Sequence, residues 1–216
     1  MAKILLTAGP TRAYLDDVRY VTNASSGRMA KALAEAALAA GHTVTIVSGP
    51  VAVNYPRGAR VLPVVTTAEM LAQALRELPV CDGVIAAAAP CDFEPEHRLA
   101  GKIPRQGTVL TLRLRPTIDV IATLARRAKP HQWMVAFALE PGANPLRALE
   151  KITVKRCDLI VVNDLGALEA TTTAVTVYDR SHACVGEKQG SKRSVARWLI
   201  DLFQKQMIVK GKKAPR

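Results

Sequence analysis

The chain is 216 residues long, and it lacks most of the features that would tie it to a membrane, a structural metal or a nucleic acid. Its four cysteines (Cys81, Cys91, Cys157, Cys184) are scattered, with no C-x-x-C pair, which speaks against a zinc site and against a disulfide framework. No apolar run approaches the ~20 residues that span a bilayer. The opening Met1-Ala-Lys-Ile-Leu-Leu-Thr7 enters a strand pattern directly, without the longer apolar stretch of a signal peptide. A soluble, cytoplasmic protein with reduced thiols is expected. Aromatics are scarce, with only three Phe, and they do not interleave with basic residues as in chains that stack bases. Nucleic acid is therefore not the expected partner, although a net charge of +12 favours polyanions. Part of that charge sits in a basic C-terminal tail, residues 207–216, expected to be solvated. Three nucleotide and hydrolase signatures are also missing. There is no G-x-G-x-x-G at the first turn, no G-x-x-x-x-G-K-[ST] and no G-x-S-x-G. The histidines His42, His97, His131 and His182 are isolated and receive no role.

What is present is a strand, a polar turn and a helix start. Thr7-Ala-Gly-Pro-Thr-Arg12 ends an apolar strand, and Asn23-Ala-Ser-Ser-Gly-Arg28 opens an Ala-rich helix. Unpaired N–H groups and the positive end of the helix dipole make such a start suited to an anion. Downstream, strands are expected over 4–8, 43–48, 61–65, 83–89, 110–115, 133–138, 158–162 and 174–178. Helices are expected over 28–40, from a Thr66/Glu69 capping box to about 78, and over 118–128, 145–155 and 191–206. Gly41 is placed to stop the first helix. Residues 90–107 form a long irregular stretch of the kind that carries function, and 186–190 reads as a polar turn. Strand 83–89 lacks polar alternation, so it belongs in the centre of a parallel sheet. The repeated strand–helix units predict one domain over 1–216, a three-layer α/β/α Rossmann-like fold with a mostly parallel sheet. In such a sheet, ligands bind beyond the carboxyl ends of the strands, where the strand order reverses.

The chemistry at those strand ends is cationic and polar. Lys102 lies ten residues after Asp92, and Lys151 and Lys155 share a helix face at i, i+4. Lysines converging on a rim suit a triphosphate, and an aspartate there suits Mg²⁺ or a base amino group. Spacing alone also fits a solvated lysine face and a turn-capping Asp92, the blander reading.

In combination, these motifs resemble the phosphopantothenoylcysteine synthetases, the synthetase half of the bacterial coenzyme A biosynthesis flavoprotein. The resemblance covers nearly the whole chain. It is carried by Thr7–Arg12, Asp17-Val-Arg-Tyr20, Thr22–Met29, Val47–Val51, Ala88–Phe93, Lys102–Arg105, Ala136–Pro141 and Lys151–Asp164. It implies a ligase that condenses 4′-phosphopantothenate with L-cysteine through an acyl-cytidylate, converting CTP to CMP and pyrophosphate with Mg²⁺. Asn23 and Lys102 then take catalytic roles, and Gly9, Ser25, Ser26 and Gly27 form the phosphopantothenate pocket. Ala86, Ala87, Ala88, Asp92, Lys102, Ile118, Asp119, Val120, Ile121, Phe137, Lys151 and Lys155 form the nucleotide site, with Asp92 the metal candidate. The flavin-binding half has no counterpart here, so no FMN is expected, and a separate decarboxylase would receive the product. The family dimerises through added strands, which makes Val109–Arg115 the candidate interface strand of a homodimer. Departures from the family pattern fall at Ala30, Pro90-Cys91, Gly101, Pro104-Arg105 and Ile118. They bear on the choice of CTP over ATP and on flap closure. An ATP-using ligase and a non-catalytic nucleotide-binding module are the alternatives.

Overall fold

The computed structural model describes residues 1–105, 107, 109–140, 145–164 and 171–209. Alternation of side chains along a strand decides its layering. In β1 (Lys3–Ala8), Ile4, Leu6 and Ala8 face one core and Leu5 faces the other. The first core is closed by α1 (Arg28–Ala39) and α5 (Lys192–Phe203). The second is closed by α2 (Thr67–Glu77), α3 (Val120–Arg127) and α4 (Pro145–Lys155). The expected three layers are therefore present.

Between the helices lies one eight-stranded sheet. Its order is β12 (Cys184–Ser191), β11 (Thr172–Asp179), β10 (Leu159–Asn163), β9 (Trp133–Leu139), β6 (Gly83–Ala86), β1, β4 (Thr43–Ser48) and β5 (Arg60–Pro63). Neighbours from β5 to β10 pair in parallel, and β11 and β12 are added antiparallel. From β1 the chain moves outward through β4 to β5, then returns beside β1 as β6 and moves out the other way. The reversal between β1 and β6 is the topological switch point of a doubly wound sheet.

Local signals hold at most element ends. The Thr66–Glu69 capping box forms in full, and Gly41 follows the end of α1 with φ of 79°. Other expectations need correction. The strand expected over 83–89 ends at Ala86. The helix expected from Ile118 begins at Val120, because the Asp119 side chain caps it by accepting from Ala122 N at 3.0 Å. The 186–190 turn is instead part of β12, the sheet edge. Gly186 is needed there because a Cβ would lie 2.8 Å from the Trp198 ring of α5.

Residues 90–107 are less irregular than expected. Within them, β7 (Phe93–Pro95) pairs antiparallel with β8 (Leu114–Pro116). The strand expected over Val109–Arg115 is thus confined to its C-terminal end among the described residues, Thr108 lying outside them. A hairpin the sequence reading missed, β2 (Arg12–Tyr14) with β3 (Tyr20–Thr22), stands beside β7. The first residues of the expected 207–216 tail are helical. Residues 204–209 continue α5 as a π-helical turn, and Met207 and Ile208 pack on the core. Residues 210–216 lie outside the described set. No helix among the described residues is long and apolar enough to cross a membrane.

Candidate active site

The chain leaving β6 runs along the switch point and divides its two sides. Ala87 packs with the α1/α5 core, while Ala86 and Ala88 pack with the α2/α3/α4 core. The segment is fixed at its base by Ala87 N donating to Thr7 O and Ala89 N donating to Gly9 O.

On the α3 side lies a cavity of about 130 Å³ that opens to solvent. Strands β1, β6 and β9 contribute Thr7, Ala86, Ala136 and Phe137, the β6 exit contributes Ala88, Pro90, Cys91 and Asp92, and the start of α3 closes the other wall. Ile118, Asp119, Val120, Ile121 and Lys155 are all in that lining. Residues spread from 7 to 155 are thus gathered by the topology. Lys155 Nζ lies 3.1 Å from Asp119 Oδ2. Asp119 has two duties at once, since its Oδ1 caps α3.

Asp92 is exposed, and its carboxylate has no hydrogen bond or ion pair among the described residues. Its backbone is held firmly nonetheless. Cys91 N donates to Thr11 Oγ1 at 2.8 Å, Thr117 Oγ1 donates to Cys91 O at 2.6 Å, and Thr117 N donates to Asp92 O at 2.9 Å. Thr11 in turn meets Thr67 of α2, Oγ1 to Oγ1, at 2.8 Å. A free carboxylate presented on a fixed backbone is a suitable partner for a cation or a donor group of a ligand. Thr11 belongs to the Thr7–Arg12 motif, but no sequence signal pointed to these contacts, because they join residues far apart in the chain.

On the α1 side, Gly9 and Gly27 both have positive φ, 71° and 74°. A Cβ on either would crowd Val51 Cγ1, at 2.7 and 2.9 Å. Only glycine lets these two turns close on the β4 exit. Asn23, just after β3, donates its side-chain amide to Ala89 O at 3.2 Å and Pro90 O at 2.9 Å. It therefore pins the loop before α1 to the β6 exit. Ser25 and Ser26 are half-buried, and Gly27 is buried and caps α1.

Three of the candidate nucleotide-site residues are not in the cavity lining. Ala87 faces the opposite core. Lys102 is exposed in a loop segment held to the β2–β3 hairpin. Lys151 pairs with the buried Glu140 at 2.5 Å. The i, i+4 spacing of Lys151 and Lys155 is real, but each lysine has its own carboxylate partner.

A doubly wound sheet with a cavity at its switch point defines a Rossmann-like α/β domain. Comparison with known proteins gives the family. Residues 1–207 match the DNA/pantothenate metabolism flavoprotein C-terminal domain, and the chain belongs to that family. It is 39% identical over 180 residues to the coenzyme A biosynthesis bifunctional protein CoaBC of Bacillus subtilis (strain 168). That alignment covers 81% of this chain and 44% of the relative, so the chain spans less than half of that protein's length. The crystal structure of the C-terminal domain of a CoaBC protein superposes with a TM-score of 0.80 at 32% identity, covering 97% of this chain and 96% of that one. A Cab2 mutant in complex with phosphopantothenate-cysteine, 17% identical, superposes with a TM-score of 0.75 over 98% of this chain and 89% of that one, and shows the shared fold.

Proposed function

We propose that this chain is a phosphopantothenate–cysteine ligase that activates 4′-phosphopantothenate with CTP. The carboxylate of 4′-phosphopantothenate attacks the α-phosphate of CTP, giving an acyl-cytidylate and pyrophosphate. The amine of L-cysteine then attacks the acyl carbon and CMP leaves. The observation that carries this reading is the switch-point cavity, which gathers Ala86, Ala88, Asp92, Ile118–Ile121, Phe137 and Lys155 into one lining. Those are residues that the family resemblance assigns to the nucleotide.

The two sides of the β6 exit then take the two reactants. Gly9, Ser25, Ser26, Gly27 and Asn23 receive phosphopantothenate on the α1 side, and the cavity receives the nucleotide. Positioning and charge neutralisation supply most of the acceleration in such a transfer. Lys155 neutralises phosphate charge once it is shared with Asp119, and Lys151 contributes by leaving Glu140. Lys102 contacts the nucleotide and favours the second step.

Among the described residues, no group of three or more His, Cys, Asp or Glu is placed to cage a metal. Mg²⁺ needs no such cage when a triphosphate carries it, since one or two carboxylates and water complete its octahedron. Asp92, with its carboxylate free, fits that need. When bound, the ion would neutralise charge on the triphosphate oxygens.

A homodimer belongs to the same proposal. Phe93 of β7, Leu114 of β8 and Val21 of β3 are exposed apolar side chains on the adjoining ribbon and hairpin. A monomer in sedimentation at micromolar concentration would count against it. The product would pass to a separate phosphopantothenoylcysteine decarboxylase.

Two other readings each have an observation behind them. Pro90 lines the cavity without an N–H to offer a base, which leaves room for ATP in place of CTP. Pro104-Arg105, in place of the family's two lysines, favours a module that binds nucleotide without turnover. The deciding experiment measures pyrophosphate release with Mg²⁺, 4′-phosphopantothenate and either CTP or ATP, with and without cysteine. Release with CTP, and ligated product only when cysteine is present, is expected. Release with ATP alone keeps the ligase and changes the nucleotide. Tight CTP binding with no release sinks the ligase.

A further inference from the structure

We propose that Asp16 is a positioning residue for Lys102: its carboxylate fastens the backbone beside that lysine to the β2–β3 hairpin and so fixes where the lysine side chain starts. This rests on the ligase reading for its catalytic consequence, but the grip itself is read from geometry.

Asp16 lies in the turn of the hairpin, and its side chain is fully buried at 0% exposure. Its Oδ1 accepts from Val18 N at 2.8 Å and Arg19 N at 2.6 Å, which shapes the turn. Its Oδ2 accepts from Arg19 Nη1 at 3.1 Å and from Ile103 N at 3.0 Å, 87 residues away in the chain. Arg19 completes the pair, since its Nη2 donates to Ile103 O at 2.9 Å. Both backbone groups of Ile103 are therefore held. The same is true on the other side of Lys102. Asp17 Oδ2 accepts from Gly101 N at 2.8 Å, and Asp17 N donates to Gly101 O at 3.0 Å.

Lys102 thus sits between two residues whose N–H and C=O groups are all bound to one hairpin. Further out, Leu99 N donates to Leu15 O, and Arg98 pairs with Asp17 at 2.8 Å while lying over the Tyr14 ring at 4.9 Å. A buried carboxylate is costly unless every lone pair is used. Here four donors use it, and one of them is the neighbour of the candidate catalytic lysine. The hairpin's other end leads from Thr22 into Asn23, which is bonded to the β6 exit. One short hairpin therefore sets the placement of both Asn23 and Lys102, and Asp16 is the centre of its hold on the second.

The test is a double-mutant cycle with Asp16→Asn, Lys102→Gln and the double variant, read as ligation rate, with amide hydrogen exchange at Ile103. If Asp16 acts through Lys102, D16N slows ligation on the order of tenfold to a hundredfold in the wild-type background. The same change costs little, within about twofold, where Lys102 is already gone. Ile103 exchange should be slow in the wild type and accelerate in D16N. Losses that multiply, or an Ile103 amide that already exchanges freely in the wild type, would overturn the inference. Should D16N not fold, Asp17→Ala takes its place. Asp17 is half exposed, and its loss should speed exchange at Gly101 and cost less activity when Lys102 is absent. If the wild type ligates with neither nucleotide, the ligase reading falls and the positioning role with it, while Ile103 exchange still decides whether the grip exists.

Discussion

Asp119 offers the sharpest separation of architecture from ligand binding, because its two oxygens do different work. Oδ1 caps α3 and Oδ2 pairs with Lys155. Asp119→Ala removes both contacts. Loss of an N-cap acceptor costs about 1 kcal/mol. The ion pair adds at most about 0.5 kcal/mol, because Asp119 is 44% exposed and solvent screens it. A total of about 1–1.5 kcal/mol lowers the melting temperature of a domain this size by roughly 2–6 °C. Asp119→Asn keeps an oxygen for Ala122 N and removes only the charge, so its melting temperature should stay within about 1–2 °C of the wild type. The two variants should agree in the other assay. Both free Lys155 from its internal partner and remove a negative charge from the cavity wall, so a nucleoside triphosphate should bind two- to fivefold more tightly, about 0.4–1 kcal/mol. Differential scanning fluorimetry and isothermal titration with CTP measure the two quantities. An unchanged melting temperature in D119A would refute the capping argument. A tenfold weakening of CTP binding in D119N would show that the carboxylate itself touches the nucleotide and that the charge reasoning has the wrong sign.

Acid sensitivity should come in two stages. His42 is buried, with its Nδ1 accepting from Ala2 N and its Nε2 without a partner among the described residues. Burial, and then the positive N-terminus, hold its pKa below 6.5. The unfolded chain therefore takes up the proton first, and stability should fall as pH drops below about 6.5. His42→Gln, which keeps an acceptor for Ala2 N, should flatten that decline in denaturant titrations. Asp16 is held down to about 2, first by its bond from Ile103 N. Its contribution is complete above pH 3.8 and should be lost between about pH 4 and 2, a limb that D16N removes. The thiols give a simpler check. Burial pushes Cys81 up to about 11 and Cys157 up to about 12, Cys91 is buried, and Cys184 is exposed. A thiol reagent at pH 8 should label one site quickly, and Cys184→Ser should abolish that phase.

Much of this architecture was legible because its signals are local. Thr66 and Glu69 meet within one turn of helix, and Gly41 needs only a left-handed conformation at a helix end. The continuous apolar run after Gly83 announces two-sided burial without reference to any neighbour. Where the reading failed, the cause was a distant partner or an element too short to show a pattern. Residues 186–190 are polar and glycine-rich because they form an edge strand under Trp198, and nothing in that pentapeptide names the tryptophan. The β2–β3 strands are three residues each, too short for a period to register. Asp16 carries no pattern of its own, since its partner is 87 residues away.

The sequence by itself determined the main alternation of strands and helices, the mostly parallel character of the sheet and the residue types suited to a bound anion. These depend on propensity, spacing and side-chain chemistry within a few residues. Only the tertiary structure decided which of those residues share a site. It placed Lys155 in the cavity and Lys151 on Glu140, although both lie on one helix face. It turned Ala86 and Ala88 toward one core and Ala87 toward the other, and it put Lys102 in the grip of the hairpin. Those outcomes turn on contacts between residues 11 to 87 positions apart. Such contacts are fixed by how the layers pack, and no stretch of the sequence contains both partners closely enough to declare them.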